Sequence, residues 1–300
     1  MGTGWSLQAV LPRDLDPREV SSAVVRRLDG LVAQMSHWEP DSDLCRFNRA
    51  PAGVWVTLAS DFAHVMWSAL AVARDSDGAF SPSVGALVDR WGFGPPGPVA
   101  RPPDEADLAG LLSRSDWRRL DHDEASGRLR QPGGLALDLS AIAKGYAVDA
   151  VMAELAAMGI RHALVEVGGE LCGRGLRPDG QPWWVDLEEP PGARLPVLRV
   201  GLHGLSVATS GSYVRGPHNL DPRTGRPAGH GVVACSVLHA SAMLADGWAS
   251  ALSVAGAEVG LLLAIRNSLA VRWVVEQEGQ WQETLSPALL DMMEEGEAVI

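Results

Sequence analysis

The sequence predicts an α+β fold, and three observations support this prediction. Apolar residues recur at helical spacing over Pro17–Met35 and Leu58–Arg74. A third helical pattern covers Ala141–Met158 and stops at Gly159, a residue type that commonly ends helices. From Trp183 to Val207 the pattern changes to short strand-like runs broken by proline and glycine. That change favours an antiparallel sheet over repeated βαβ units.

The other elements are predicted from the same periodicities. Gly4–Leu11 indicates a short strand, and Ser36–Ala52 is a polar, turn-rich segment between two helices. Residues 92–103 are rich in proline and glycine and indicate a surface loop rather than a domain boundary. The remaining predictions are a short helix at Asp104–Leu112, a buried strand at Gly134–Leu139, a strand at His162–Val167, a helix at Ala240–Leu263 and a strand at Leu269–Glu276.

Composition excludes several classes of protein. The formal net charge of −12 over 300 residues argues against a general nucleic-acid binder, so an anionic nucleotide would need a metal ion, a few cations or helix N-termini. Cys45, Cys172 and Cys235 are odd in number and widely spaced, which predicts free buried thiols rather than disulfides or a zinc site. We find neither a signal-peptide pattern nor an apolar run of roughly 20 residues, and we expect a soluble, cytoplasmic chain without a membrane span.

The segment Leu137–Tyr146 combines features of an anion site. A buried run stops at Asp138, and a helix is expected to start within a few residues, with Ser140 as its cap and Lys144 in its first turn. An ordinary capped helix is the simpler interpretation of this segment taken alone. Glu166–Glu170 places two glycines after a strand, which fits either a tight turn or close approach to a ligand.

His218 precedes a predicted tight turn. Asp221–Gly225 has proline at its second position and glycine at its end, so a histidine three residues before it would be held rigidly enough to act as a base. A single loop histidine is nonetheless usually a surface or core residue.

Asp246 and Ser250 lie four residues apart in a predicted helix and therefore share one face. A carboxylate and a hydroxyl in this arrangement suit Mg²⁺, which prefers hard oxygen ligands. A solvated aspartate is the alternative, but the apolar neighbours indicate a buried helix in which Asp246 needs a partner.

Taken in order, these segments resemble the ApbE-like family of FAD:protein FMN transferases. The resemblance also covers Met1–Thr3, Met35–Asn48, Gly78–Gly85 and Trp91–Gly94. It implies one T-fold-related domain over residues 1–300, with mixed or antiparallel sheets flanked by helices.

The resemblance also implies roles for individual residues. His218 and Asp246 would be catalytic, with His218 as the base. The Mg²⁺ ligands would be the Ala141 carbonyl, the Asp246 carboxylate and the Ser250 hydroxyl. The implied FAD-binding residues are Met1, Trp38, Ala79, Phe80, Ser81, Asp138, Lys144, His218 and Asn219. This sequence departs from the usual family pattern at Trp38 (commonly Tyr), Ser81 (Asp), Asn219 (aliphatic) and Ser250 (Thr).

The implied activity is Mg²⁺-dependent transfer of FMN from FAD to a Ser or Thr hydroxyl of a target flavoprotein, with release of AMP. Two alternatives stay open. One is an FAD pyrophosphatase that uses water as the acceptor, and the other is a flavin-binding or delivery protein without catalysis. Many relatives are exported or membrane-associated, so the expected cytoplasmic location is not borrowed from them.

Overall fold

A computed structural model describes residues 2–213, 216 and 218–297. In that part of the chain there are fourteen strands: β1 (Trp5–Ala9), β2 (Trp55–Thr57), β3 (His122–Asp123), β4 (Arg128–Arg130), β5 (Ala163–Val167), β6 (Glu170–Arg174), β7 (Trp183–Asp186), β8 (Arg199–Leu202), β9 (Leu205–Gly211), β10 (Leu220–Asp221), β11 (Arg226–Pro227), β12 (Val232–His239), β13 (Ala270–Gln277) and β14 (Gln280–Leu285). The helices are α1 (Pro17–Met35), α2 (Asp43–Arg49), α3 (Ser60–Asp75), α4 (Gly85–Trp91), α5 (Glu105–Leu112), α6 (Ala143–Ala157), α7 (Ala242–Arg266) and α8 (Pro287–Glu297), with a short 3₁₀ turn at Trp117–Arg119.

A seven-stranded antiparallel sheet organises the molecule. Its strand order is β1-β5-β6-β9-β12-β13-β14, and every neighbouring pair runs antiparallel. Smaller sheets are formed by β2-β4-β3, β7-β8 and β10-β11. Helices flank the large sheet, so the predicted α+β class with antiparallel sheets is confirmed.

The two faces of this sheet bury different clusters. Alternation along each strand sends successive side chains to opposite faces. One face packs against α6 and α7 and forms the main core, which includes Ala208, Val237 and Trp273. The other face carries Val207 and Leu238, which pack with side chains of the β7–β8 hairpin and α8.

The helix α7 is the most apolar element. Its length and composition alone would allow it to span a membrane, but 61% of its most apolar window is buried inside the protein. It packs against α6, β9 and β12. It is therefore a core helix. Among the described residues, no other helix is long and apolar enough to span a membrane.

Three local predictions are wrong. Gly134–Leu139 is mostly buried, although Gly134 is exposed, and it is not a strand. The Leu137 carbonyl accepts a hydrogen bond from Asn48 Nδ2 of α2 at 3.0 Å and not from a neighbouring strand. The segment Ser36–Ala52 contains α2, which Ser42 caps through the Cys45 amide. Cys45 is only half-buried, although all three cysteines are free as predicted.

Candidate active site

One cavity collects the residues that the sequence singled out. It opens between the C-terminal part of α1, the first turn of α6, the β5–β6 turn, the end of β9 and α7. Its lining includes all the predicted site residues that the structure describes: Trp38, Ala79, Phe80, Ser81, Asp138, Ala141, Lys144, His218, Asn219, Asp246 and Ser250. Met1, the remaining predicted residue, lies outside the described residues. The roles of these side chains stay predictions, but their convergence is a property of the fold.

Close contact between α6 and α7 fixes one wall of the cavity. A Cβ atom on Gly145 would lie 2.1 Å from the Ala242 carbonyl oxygen and 2.8 Å from Asp246 Cβ. Only a glycine allows the two helices to approach this closely, since real Cβ atoms do not make such contacts. The approach brings the two remote stretches around Ala141 and Asp246 together.

The first turn of α6 obtains a hydrogen-bond partner from Asp246. Gly145 is the third residue of α6, so its amide is one of the first four, which have no acceptor within the helix itself. It donates to Asp246 Oδ2 at 2.9 Å. Asp246 thus satisfies an amide that the helix leaves unpaired, and Ala141, which directly precedes the helix, lines the cavity beside it.

The predicted cap of this helix is wrong. The helix begins at Ala143, its N-cap residue is Ile142, and no side chain caps it. Ser140 lies two residues before the N-cap position, and its amide donates to Asp138 Oδ1 at 2.8 Å. The carboxylate of Asp138 therefore orders the approach to the helix from two residues before the predicted cap.

The start of α7 is held by Asp149 of α6. Its carboxylate accepts hydrogen bonds from Ser241 Oγ at 2.7 Å and from the Ala242 and Met243 amides at 2.9 and 3.0 Å. These amides are among the first four of the helix, which have no partners within the helix itself. Asp149 thereby fixes the position of α7 relative to α6 near Asp246.

Lys144 lies between two buried carboxylates. Its Nζ atom donates to Glu170 Oε1, and it lies 3.4 Å from Asp246 Oδ1. Burial lowers the pKa of Lys144, but the two carboxylates outweigh that effect and raise it above its ordinary value. Burial, together with the charge of Asp246, raises the pKa of Glu170 to about 8, although Lys144 opposes the shift.

The oxygen atoms at this wall fit a hard divalent cation. Within the described ranges, no three His, Cys, Asp or Glu side chains form a metal-binding group. The predicted set instead combines one carboxylate, one hydroxyl and one carbonyl, and such sparse protein ligation is typical of Mg²⁺ that also binds substrate phosphates. In addition, Glu170 Oε2 is buried and has no hydrogen-bond partner among the described atoms. The donor chemistry at this wall therefore fits Mg²⁺.

His218 lines the same cavity and precedes the predicted turn. Its Nδ1 atom lies 2.9 Å from the Gly216 carbonyl oxygen, and it must donate there because a carbonyl only accepts. A neutral imidazole in this tautomer carries its lone pair on Nε2, as a general base requires. The turn itself is confirmed, because the Gly225 amide donates to the Asp221 carbonyl at 2.7 Å.

The mouth of the cavity carries an exposed aromatic ring. Trp38 is 55% exposed, and its ring centroid lies 5.3 Å from that of His37. His37 Nδ1 lies 3.6 Å from Asp138 Oδ1. Across the mouth, Tyr213 donates a hydrogen bond to Glu188, whose pKa is raised by burial despite the opposing charge of Lys144.

Comparisons with known proteins match nearly the whole chain. The model of the ApbE family covers residues 1–273. The chain belongs to the ApbE family. The FAD:protein FMN transferase of Vibrio cholerae serotype O1 is 34% identical over 299 residues, which cover 95% of this chain and 88% of that protein. The Escherichia coli K12 protein of the same name is 30% identical over 302 residues, with 96% and 85% covered.

Solved structures of family members have the same fold. The flavinyl transferase ApbE of Pseudomonas stutzeri, in its apo form, superposes with a TM-score of 0.89 at 35% identity, covering 96% of this chain and 92% of that one. The flavin transferase ApbE of Vibrio cholerae superposes with a TM-score of 0.91 at 32% identity, covering 97% and 96%. The predicted family and fold are therefore confirmed.

Two departures from the family pattern have local partners in this structure. Ser81 is buried, and its Oγ lies 2.9 Å from Ser83 Oγ, which in turn donates to the Ser115 carbonyl at 2.6 Å. Asn219 bridges two serines, Ser210 and Ser253. Neither position leaves an isolated polar side chain in the wall.

Sequence reasoning missed Glu170, Glu188 and Tyr213 as members of the site. Glu170 had a signal, because paired glycines at a strand end let the β5–β6 turn pass close to Lys144. The sequence predicts either a tight turn or close approach to a ligand at Gly168–Gly169, but it assigns no role to the Glu170 side chain. Glu188 lies in the segment after β7 and had no signal in the local pattern, since only the tertiary fold brings it to Tyr213.

Proposed function

We propose that this ApbE-family chain transfers the FMN half of FAD to a Ser or Thr hydroxyl of a partner flavoprotein in a Mg²⁺-dependent reaction. The new bond is a phosphoester, and AMP is released. One observation carries the proposal: a single cavity contains a histidine with a suitable tautomer, a half-buried lysine and the oxygen donors of α6 and α7. The relatives named above as FAD:protein FMN transferases support the same activity.

The cavity has one surface that suits an aromatic ring system of FAD and another that suits its diphosphate. The exposed ring of Trp38 provides a flat apolar surface on which an aromatic ring system can stack. Deeper in the cavity, the Lys144 ammonium provides a positive charge for the diphosphate. This arrangement supplies the local help that an anionic dinucleotide needs in a chain of net charge −12.

Three oxygen donors would hold the magnesium ion: the Asp246 carboxylate, the Ser250 hydroxyl and the Ala141 carbonyl. Asp246 and Ser250 are one helical turn apart on α7, and Ala141 lies directly before α6. When bound, Mg²⁺ would supply charge neutralisation on the diphosphate.

The proposed reaction needs a proton acceptor and a leaving group. The acceptor hydroxyl oxygen forms a bond with the phosphorus nearer to riboflavin while its proton passes to His218. The bond from that phosphorus to the bridging oxygen breaks, and AMP leaves with that oxygen. Lys144 would stabilise the charge that develops on the phosphate oxygens, so catalysis is mainly alignment and electrostatics.

Two alternative activities would use the same cavity. An FAD pyrophosphatase would accept water in place of the protein hydroxyl and would release free FMN with AMP. A carrier would bind FAD and leave it intact. The His218 tautomer and the half-buried Lys144 favour chemistry over simple carriage, because a carrier needs neither a base nor a group that stabilises developing charge.

The test is an incubation of purified protein with FAD, Mg²⁺ and a flavoprotein fragment that contains a candidate Ser or Thr. We expect stoichiometric AMP and an acceptor whose mass increases by that of one esterified FMN group, which is FMN less one water. Chelation of Mg²⁺ should abolish both products, and Asp246→Ala should lower the rate at least about 10²-fold because the metal loses its only carboxylate ligand.

Three outcomes would contradict this assignment. FMN and AMP released rapidly without an acceptor would indicate the pyrophosphatase, and FAD of unchanged mass would indicate a carrier. A rate for Asp246→Ala equal to that of the wild type would refute the proposed metal ligand set.

A further inference from the structure

The side chain of Asn219 connects three elements around the cavity. Its Nδ2 atom donates to Ser210 Oγ at 2.9 Å, at the end of β9. The same nitrogen donates to Ser253 Oγ at 3.0 Å, on α7. An amide nitrogen has two hydrogens, and these two serines use both of them. Asn219 immediately follows His218, so the bridge acts on the backbone of the proposed base.

The bond from Asn219 to Ser253 ends on the face of α7 that carries the proposed metal ligands, which we call the metal face. Ser253 lies seven residues after Asp246 and three after Ser250, which places all three on one face of α7. Ser253 is buried, at 4% exposure, and it does not line the cavity. The hydrogen bond from Asn219 therefore links the His218 segment to the helix that holds the metal ligands without occupying space needed by substrate.

The backbone on the C-terminal side of His218 is independently anchored. The Asn219 carbonyl accepts a hydrogen bond from the Ala228 amide at 2.8 Å. Beyond it, Trp91 Nε1 donates to the Gly225 carbonyl at 2.7 Å and holds the turn against α4. These bonds fix the turn, but neither of them reaches α7. Among the residues that the structure describes, the Asn219 side chain provides a hydrogen-bonded connection from the base segment to the metal helix.

We propose that Asn219 and Ser253 are positioning residues that set the distance between the His218 imidazole and the metal face of α7. The inference rests on the proposed function, because that distance matters only if a base and a metal-bound diphosphate act on one acceptor. An aliphatic residue at position 219 could fill the space but could not donate these bonds.

A double-mutant cycle with Asn219→Leu and Ser253→Ala tests the inference. We expect kcat for FMN transfer at saturating FAD to fall about 10-fold in Asn219→Leu, since small displacements of reacting groups are costly. The expected loss in Ser253→Ala is about threefold, because Asn219 keeps its bond to Ser210. The double variant should be no slower than Asn219→Leu. In Ser253→Ala, whose side chain does not line the cavity, the Kd for FAD should stay within about twofold of wild type.

Asn267→Leu is the matched control. Asn267 ends the same helix, and its Nδ2 donates to the Leu263 carbonyl at 2.9 Å, away from the cavity. We expect it to lower thermal stability and leave kcat unchanged. Losses in Asn219→Leu and Ser253→Ala that multiply in the double variant would overturn the inference. So would a raised Kd for FAD with unchanged kcat, which would make Asn219 a binding residue only.

A second measurement does not depend on catalysis. In ¹⁵N-histidine-labelled protein without FAD, the His218 ring signals should shift or broaden in Asn219→Leu and Ser253→Ala but not in Asn267→Leu. Unchanged His218 signals would refute the bridge even if transfer proceeds as proposed. A wild-type protein that forms no flavinylated acceptor would refute the proposed function, while these signals would still report on the bridge.

Discussion

Two sides of the same cavity are built by different kinds of interaction. On the metal side, backbone contact at Gly145 presses α6 against α7, and the buried Asp246 carboxylate accepts a hydrogen bond from a first-turn amide of α6. On the base side, His218 and Asn219 are half-buried, and side-chain hydrogen bonds hold them. The first arrangement is inseparable from folding, whereas the second can be altered while the core stays packed. Substitutions on the two sides should therefore separate stability from chemistry.

The largest effect is expected from Gly145→Ala. The added methyl group would overlap the Ala242 carbonyl and must push α7 away from α6. Overpacking of this kind typically costs about 1–3 kcal/mol of unfolding free energy, and the Asp246 carboxylate would move with the helix. We expect both a lower midpoint in urea unfolding and loss of Mg²⁺-dependent FAD binding, measured by flavin fluorescence.

Gly110→Ala is the control for this substitution. Gly110 is also helical, in α5, but a Cβ atom there would meet no atom within 4 Å. Alanine is favoured over glycine in helices by about 1 kcal/mol, so this variant should be as stable as wild type or more so. If Gly145→Ala behaved like Gly110→Ala, the α6–α7 contact would not be rigid, and the comparison above would fail.

The next effect is expected from His218→Ala on the base side. General bases typically contribute about 10²–10⁴-fold to rate, so transfer should fall by at least about 10²-fold. The midpoint of urea unfolding and the Kd for FAD should change little, because this segment contributes little to the core. The measurement compares single-turnover transfer with FAD binding in the same preparation.

His203→Ala provides the matched control. His203 is exposed, and its Nδ1 atom lies 3.0 Å from the Gly175 carbonyl, a bond of the same type as that of His218. It does not line the cavity, and its loss should leave transfer unchanged. Equal rates for wild type and His218→Ala would remove the histidine from the mechanism. Catalysis would then depend on the residues of the metal side alone.

The same contrast explains which parts of the molecule the sequence predicted. Helices with clear apolar periodicity were placed to within a few residues, and α1 matches its prediction at both ends, Pro17 and Met35. Their patterns are local, and burial of one face enforces them. The prediction that the site residues lie together came from the ordered motifs, which resemble those of the ApbE family. The spacing of residues along the chain did not predict it.

The failures have two different causes. Gly134–Leu139 has the apolar content of a strand, but the side chain of Asn48, 89 residues from Leu137 in the chain, makes the hydrogen bonds that a neighbouring strand would make. Ser140 has the right residue type for a cap, but the helix begins at Ala143, with Ile142 at the N-cap position. Local apolar patterns reveal neither outcome, because the first depends on a distant side chain and the second on a helix boundary that shifts by a few residues.

The smallest effect is expected outside the cavity, at Asp61. Its carboxylate accepts two hydrogen bonds from Arg27, at 2.6 and 2.7 Å, and one from Tyr146, at 2.5 Å, and so links α3 to α1 and α6. The bonds to Arg27 hold the pKa of Asp61 well below its usual value of 3.8. Asp61→Asn should cost about 1–2 kcal/mol of unfolding free energy at neutral pH, after allowance for solvent screening. Transfer should be unchanged, because Gly145 already fixes α6 at the cavity.

The pH dependence of this cost has a definite sign. A carboxyl group whose folded-state pKa is depressed stabilises the fold above its unfolded pKa, and this contribution is lost as pH falls below about 4. Urea unfolding at several pH values should therefore show the gap between wild type and Asp61→Asn narrowing in acid. Asp186→Asn is the control, since Asp186 pairs with Arg199 in the same two-bond geometry, but the pair is exposed and should contribute no measurable stability. If Asp61→Asn lowered transfer as well as stability, the hydrogen bonds of Asp61 to Arg27 and Tyr146 would also set the position of α6. The metal side of the cavity would then depend on more than the α6–α7 contact at Gly145.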